Sequence, residues 1–396
     1  MGFRTLGDAD VASKRILVRV DFNVPVEAGR IVDDARVKAA LPTIADLRKR
    51  RGRVILISHF DRPEGQRVPS MSLRPLAPIL SQLIGAPVAF AEDCIGPIAL
   101  GAVDKLRDGD VLLLENLRFH PGEEANDPAF ARALAALADL YVNDAFSAAH
   151  RAHASTEGVA HLLPAYPGRS MQTELEHLER ALGSPKRPVI ALVGGAKVST
   201  KIDLLNNLVG KLDYLAIGGG MANTFRFAQG HDVGASLAEK ELAEIALKIL
   251  DRAQALGCRV LLPTDVVVAE TLDPGAPSRV IELDQIRPQE RILDLGPVSL
   301  RQILAAINES ATLIWNGPLG VFEVPPFDAG TLQVARHAAA LAKSGKLIAV
   351  AGGGDTAAAL GAAGLADDFS FVSTAGGAFL EWMAGKTLPG VAALDS

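Results

Sequence analysis

Short apolar runs recur along the chain, each closing on polar residues or glycines, with helix-like segments between those of the first half. In the first half they are Ile16 to Val20, Val54 to Ile57, Val111 to Leu114 and Leu140 to Val142. Continuous apolar runs of this length read as strands buried on both faces. Segments such as Asp33 to Arg50, Arg74 to Ile84 and Pro128 to Ala138 read as the helices between them. Strands alternating with helices imply a parallel sheet covered on both faces, an α/β architecture. The second half repeats the scheme with glycines at the strand ends. Val189 to Val193 leads into Gly194 and Gly195, Leu215 to Ile217 into Gly218 to Gly220, and Val260 to Leu262 into Pro263 to Asp265. Leu313 to Trp315 leads into Asn316 to Gly320, Leu347 to Val350 into Gly352 to Thr356, and Phe371 with Val372 into Ser373 to Gly377.

Between the halves, Leu163 to Arg169 carries Pro164, Pro167 and Gly168, and an amphipathic stretch then runs to Gly183. The reading is two domains joined at a hinge helix, and 396 residues suit two cores better than one.

In parallel α/β sheets ligands bind outside the carboxyl ends of the strands. The first half places Asp21 and Asn23, His59, Phe60, Asp61 and Arg62, Arg118, and His150, Arg151 and His153 at those ends, with Arg36 just beyond the first loop. Taken singly, each of these arginines reads better as a surface ion pair. Their repetition at equivalent positions favours a cationic pocket for phosphate or carboxylate, which guanidinium groups bind as planar forks. In the second half, Lys197 and Lys201 are four apart after a glycine turn, which places both on the first turns of one helix around an anion. Asp355, at the mouth of a glycine turn, suits Mg2+. Glu323 reads either as an acceptor for ribose hydroxyls or as a solvated acid.

Composition narrows the classes. A net charge of −6 gives no global attraction for nucleic acid, so any basic cluster is local. No apolar run is long enough for a bilayer, and the N-terminus has no signal-like core, so a cytoplasmic protein is expected. Cys94 and Cys258 lie in no metal-type spacing and read as reduced, buried thiols. The histidines show no zinc pattern, and the glycine turns alone leave a nicotinamide dehydrogenase or a silent phosphate-binding protein open.

The stretches RVDFNVP, SHFDRP, ENLRFHPGEE, NDAFSAAHRAHAST, GGAKVSTKI, GGGMANTF, WNGPLGVFE, AGGGDT and STAGGA stand in order along nearly the whole chain. In these the chain resembles the phosphoglycerate kinase family. The resemblance implies two Rossmann-like domains: residues 1–168 for phosphoglycerate and 169–380 for nucleotide, with a hinge helix at 169–184 and a tail, 381–396, returning to the first domain. It implies reversible, Mg2+-dependent phosphoryl transfer between 1,3-bisphosphoglycerate with ADP and 3-phosphoglycerate with ATP, by a monomer that closes its domains. By motif, Asp21 and Asn23 contact the glycerate portion, and His59, Arg62, Arg118 and Arg151 hold the 3-phosphate, with Phe60 and Asp61 beside them. Arg36 and Lys197 stabilise the transferred group, and Gly376 and Gly377 offer it backbone donors. Lys201, Asn316, Gly353, Gly354 and Thr356 hold nucleotide phosphates, Asp355 the Mg2+ and Glu323 the ribose. Phe60 and Asp61 stand where the family often has Leu-Gly, Ala375 where it has glycine, and Asn223 where it has an apolar residue.

Overall fold

A computed structural model of the chain describes residues 4–27, 30–31 and 34–395. It contains two compact units, Met1–Leu175 with Thr387–Ser396, and Glu176–Lys386.

In the first unit six strands form one parallel sheet: β1 (Arg15–Arg19), β2 (Arg53–Ile57), β3 (Val88–Ala91), β4 (Val111–Leu114), β5 (Leu140–Asn143) and β6 (Ala165–Pro167). Their spatial order is β3-β4-β2-β1-β5-β6. The four strands expected from apolar runs are the inner ones. Both unforeseen strands, β3 and β6, are edges, where one flank is unpaired and the apolar signal weakens; β6 even ends in Pro167, which an edge tolerates. Leu17, Val18, Leu56 and Leu113 are fully buried in the sheet. The first long helix is Ala35–Lys49; Asp33, where the sequence pattern starts it, lies outside the described residues.

The second unit begins inside the connecting helix Arg169–Leu178, which passes into a wider turn at Glu179–Gly183. The sequence placed the boundary at 168/169. The first residues of the helix belong with the first unit because Arg169 pairs with Asp46 at 2.7 Å and its N–H donates to Thr43 Oγ1. Asp144 likewise accepts from the Ser170 and Met171 N–H groups. At the other end, helix Gly376–Met383 stays with the second unit, and residues from Thr387 onward belong to the first. There Gly390 donates to Ala149 O, and Asn143 Nδ2 donates to Gly390 O.

The second unit's parallel sheet holds β7 (Val189–Val193), β8 (Tyr214–Ile217) and β9 (Arg259–Leu261). A separate antiparallel sheet follows, from β10 (Asp265–Ala269), β11 (Arg279–Glu282) and β12 (Arg291–Leu295). The parallel sheet then resumes with β13 (Thr312–Asn316), β14 (Ile348–Gly352) and β15 (Phe371–Ser373), giving the order β9-β8-β7-β13-β14-β15. This is the doubly wound order, which reverses between β7 and β13 and so opens a crevice at their carboxyl ends. The apolar runs located all six of its strands. The antiparallel sheet was not foreseen, since β11 and β12 begin with exposed or half-exposed residues and β10 sits directly after another strand.

Candidate functional site

Register positions the first half of the site. Arg19, the last residue of β1, lies opposite Ile57 of β2 and Asn143 of β5. The residues that leave those strands, Ser58-His59 and Asp144-Ala145, therefore emerge beside it. Arg19 is 1% exposed. Its guanidinium donates to Ser155 Oγ at 2.9 Å, to Val20 O, and to His59 Nδ1 at 3.0 Å. An arginine can only donate, so Nδ1 of His59 is the acceptor and Nε2 carries the ring proton. Burial holds the His59 pKa well below the usual imidazole range, and the charges of Arg19, Arg118 and Arg151 push it the same way. Those couplings place His59, Arg118 and Arg151 in one cationic cluster.

Arg118 is mostly buried, and burial lowers its pKa as well. Its Nη1 donates to Asp61 O at 2.8 Å, and its Nε lies 3.1 Å from Glu124. Asn116 ties together the two loops that carry them, one after β2 and one after β4. Its amide oxygen accepts from the Phe60 and Arg118 N–H groups, and its Nδ2 donates to Phe60 O and Met71 O. Asp61 takes φ +53°, a left-handed conformation that glycine adopts freely and aspartate tolerates. That accounts for the glycine in the family pattern at this position. Arg62 is exposed on the same loop, and Arg151 is exposed as well.

Arg36, in the first turn of its helix, reaches back to the loop after β1. It donates to Asn23 O at 2.8 Å and lies 3.2 Å from Asp21 Oδ2. Asn23 Oδ1 accepts from the Asp61 N–H at 2.9 Å. Asn23, Arg36, Phe60 and Asp61 line one cavity of about 650 Å³.

Arg19, Ser155 and Glu123 escaped the sequence reading. Glu123 is fully buried and accepts from the Ser155 N–H and Oγ. The signal was an arginine inside an otherwise apolar run, because a strand buried on both faces admits a charge only when it is paired.

In the second unit the backbones that leave β7 and β13 approach closely at the base of the crevice. A Cβ on Gly194 would stand 1.8 Å from Pro318 O, and one on Gly317 would stand 2.3 Å from Gly194 O. Only glycine fits at either place. Lys201 spans the gap: Nζ donates to Gly194 O at 2.6 Å and to Asn316 Oδ1 at 2.6 Å. Burial lowers its pKa to about 8, against the opposing pull of Asp355. Asn316 in turn donates to Gly352 O at 2.8 Å, and the Gly317 N–H donates to Thr356 Oγ1 at 2.7 Å. Gly353, at φ +101°, turns the chain into the helix Gly354–Ala362, with Asp355 exposed in its first turn. A Cβ on Gly376 would lie 3.4 Å from Gly353 Cα and Gly354 N, so the glycine starts of two helices adjoin. Ala375 has a negative φ of −95°, so its methyl group adds no backbone strain.

One expectation fails here. Lys197 and Lys201 do not share a helix face, because the helix begins only at Ile202. Lys197 sits in the preceding loop, exposed, with Glu239 as its electrostatic neighbour. Two glycines and the backbone bond from Lys201 N–H to Val198 O hold that segment in turns instead.

Gly195, Gly219, Gly220, Leu319, Glu323 and Asp355 line a second cavity of about 520 Å³. Asn223, a departure from the family pattern, is buried on its wall and donates to Leu237 O. Asp294 of the unforeseen antiparallel sheet lines it too, and burial raises its pKa to about 7.

The family model described as phosphoglycerate kinase matches residues 6–386. A phosphoglycerate kinase of Caulobacter vibrioides is 66% identical over 396 residues, covering 100% of both chains. One from Bradyrhizobium diazoefficiens is 59% identical over 392 residues, covering 99% of this chain and 98% of its own. Among solved structures, phosphoglycerate kinase from Coxiella burnetii superposes with a TM-score of 0.93 at 40% identity, covering 100% of this chain and 99% of that one. The enzyme from Pyrococcus horikoshii gives 0.82 at 31% identity, covering 99% and 98%.

Proposed function

The chain belongs to the phosphoglycerate kinase family, phosphotransferases with a carboxyl group as acceptor, and from that premise we propose which of its residues carry the transfer. The reaction interconverts 1,3-bisphosphoglycerate plus ADP with 3-phosphoglycerate plus ATP. Its nucleophile is already a carboxylate, so no general base is required, and catalysis rests on positioning and charge stabilisation.

In our reading the cationic cluster takes the 3-phosphate. His59 donates through Nε2–H, and Arg118, Arg151 and Arg62 supply charge. Asp21 and Asn23 face the glycerate hydroxyl and carboxylate, alongside Phe60 and Asp61. Arg36, now resting on Asp21 and Asn23, turns to the acyl phosphate, where negative charge spreads during transfer. Lys197, exposed on its loop, is the second cation for that group, and Gly376 and Gly377 add backbone donors.

In the second unit the 520 Å³ cavity takes the nucleoside, with Glu323 accepting from the ribose hydroxyls. Lys201, Asn316, Gly353, Gly354 and Thr356 hold the phosphates, Lys201 exchanging a carbonyl partner for a phosphate oxygen. Asp355 fits Mg2+: it is an exposed carboxylate on the cavity wall at a helix start, and Mg2+ asks for one or two carboxylates beside phosphates and water. When bound, the ion neutralises phosphate charge. We propose action as a monomer, as the resemblance to the family implies. No helix among the described residues is long and apolar enough to cross a membrane, in keeping with a cytoplasmic setting.

The observation that carries the assignment of phosphoglycerate to the first unit is the buried contact of Arg19 with a neutral His59 amid Arg118 and Arg151. ATP-dependent turnover of 3-phosphoglycerate, with Mg2+ and again with EDTA, tests the scheme. Turnover surviving EDTA contradicts the metal role.

A further inference from the structure

Outside both sets of residues, three metal-ligating side chains meet at the carboxyl edge of the first sheet. Asp93 and Cys94 follow β3, and His120 follows the turn Leu117–Phe119 after the neighbouring β4. His120 Nε2 lies 2.7 Å from Asp93 Oδ1. A carboxylate oxygen of Asp93, Sγ of Cys94 and a ring nitrogen of His120 all fall within 4.8 Å of one another. Cys94 is fully buried and forms the floor, whereas the side chains of His120 and Asp93 keep 29% and 26% exposure and leave a way in from solvent. Both outer ligands are braced. Asp93 Oδ1 accepts from the Cys94 N–H at 2.7 Å, and the His120 ring lies 5.3 Å from that of Phe130.

The geometry points to a second, transition-metal site: we propose that Asp93, Cys94 and His120 bind one Zn2+-class ion, with water in the fourth position. One thiolate, one imidazole and one carboxylate suit borderline ions such as Zn2+ or Co2+, while the sulfur makes a poor match for Mg2+ or Ca2+. Ligand atoms bonded at roughly 2.0–2.3 Å to a tetrahedral ion stand roughly 3.2–3.8 Å apart. The Asp93–His120 pair therefore opens by about half an ångström and the sulfur closes in, which small χ rotations achieve. Three metal–ligand bonds replace one hydrogen bond. The thiol proton passes to solvent, and the imidazole carries its remaining proton on Nδ1. The set was invisible as a spacing because it draws on two loops brought together only by the pairing of β3 with β4.

The test uses the full chain, stripped with chelator and titrated with Co2+ in the absence of nucleotide. The site predicts one equivalent of tetrahedral Co2+ with a thiolate-to-cobalt charge-transfer band in the near ultraviolet, bleached by Zn2+. Cys94→Ser should remove that band, His120→Gln should weaken uptake at least roughly tenfold, and Cys258→Ser should change neither. If Cys94→Ser does not fold, Asp93→Asn and His120→Gln, at half-buried positions, serve in its place. Absence of the band at saturating Co2+, or its persistence unchanged in these variants, overturns the site.

Discussion

Arg19 donates to Nδ1 of His59 across 3.0 Å in an interior where neither side chain has appreciable exposure. The contact fixes the tautomer of His59 before any ligand arrives. It also makes Arg19 a shared partner, since the same guanidinium holds Ser155, which in turn bonds buried Glu123. Replacing Arg19 by methionine takes from buried Glu123 the larger of the two arginine charges that act on it, leaving Arg118. We expect a loss of about 3–5 kcal/mol in urea unfolding, the usual cost of breaking a buried charge network from one side. A loss below about 1 kcal/mol would mean that the network relaxes to solvent.

Histidine titration should make stability rise with pH. His59 and His153 are kept neutral in the fold, by burial first and neighbouring arginines second, and His153 is lowered to about 4. The unfolded chain binds those protons near pH 6.5 and the folded chain does not. The stabilisation is therefore complete above about pH 6.5 and is lost as pH falls toward 4. Unfolding free energies measured from pH 8 to pH 5 should decline, and the decline should shrink in His153→Gln.

Lys201 gives a prediction with an alkaline window. Its pKa of about 8 means that the free site loses the ammonium charge as pH rises through that value. ADP affinity should weaken between pH 7 and pH 9, and Lys201→Met should weaken it roughly 10- to 100-fold at pH 7 while flattening the pH dependence. Calorimetric titration of ADP at both pH values decides it; a variant with the same slope as the unmodified chain contradicts the role.

How far these features could be read in advance differs between sheet and site. Strands announced themselves wherever burial on both faces keeps the run continuously apolar, so β1, β2, β4, β5 and the six parallel strands of the second unit, edges included, were all legible. The first sheet's edge strands, β3 and β6, and the antiparallel sheet were not, because partial exposure relaxes that demand. Asp21, His59, Arg118 and Asp355 could be named from their places after strands. Arg19 left a signal, a charge inside an apolar run, but nothing local names its partners, and the loop position of Lys197 left none, because spacing by four describes a helix only where a helix forms. The Lys201 bridge to Asn316 depends on how β7 and β13 pair, which no local pattern states.

Asp61 stands where the family motif often has glycine. Its backbone N–H and carbonyl bond Asn23 and Arg118, and glycine keeps both bonds while relieving the left-handed φ of +53°. Asp61→Gly also removes a carboxylate from the wall of the cavity that Arg36 lines. We expect stability to hold or rise by about 1 kcal/mol and KM for 3-phosphoglycerate to fall a few-fold, with KM for ATP unchanged. A higher KM for 3-phosphoglycerate would show that the carboxylate aids binding.

The division of labour between the units is tested most directly by calorimetric titration of Arg118→Gln with 3-phosphoglycerate and, separately, with ADP. The account predicts at least roughly tenfold weaker 3-phosphoglycerate binding with ADP affinity unchanged. Undiminished 3-phosphoglycerate binding, or a loss confined to ADP, would contradict it.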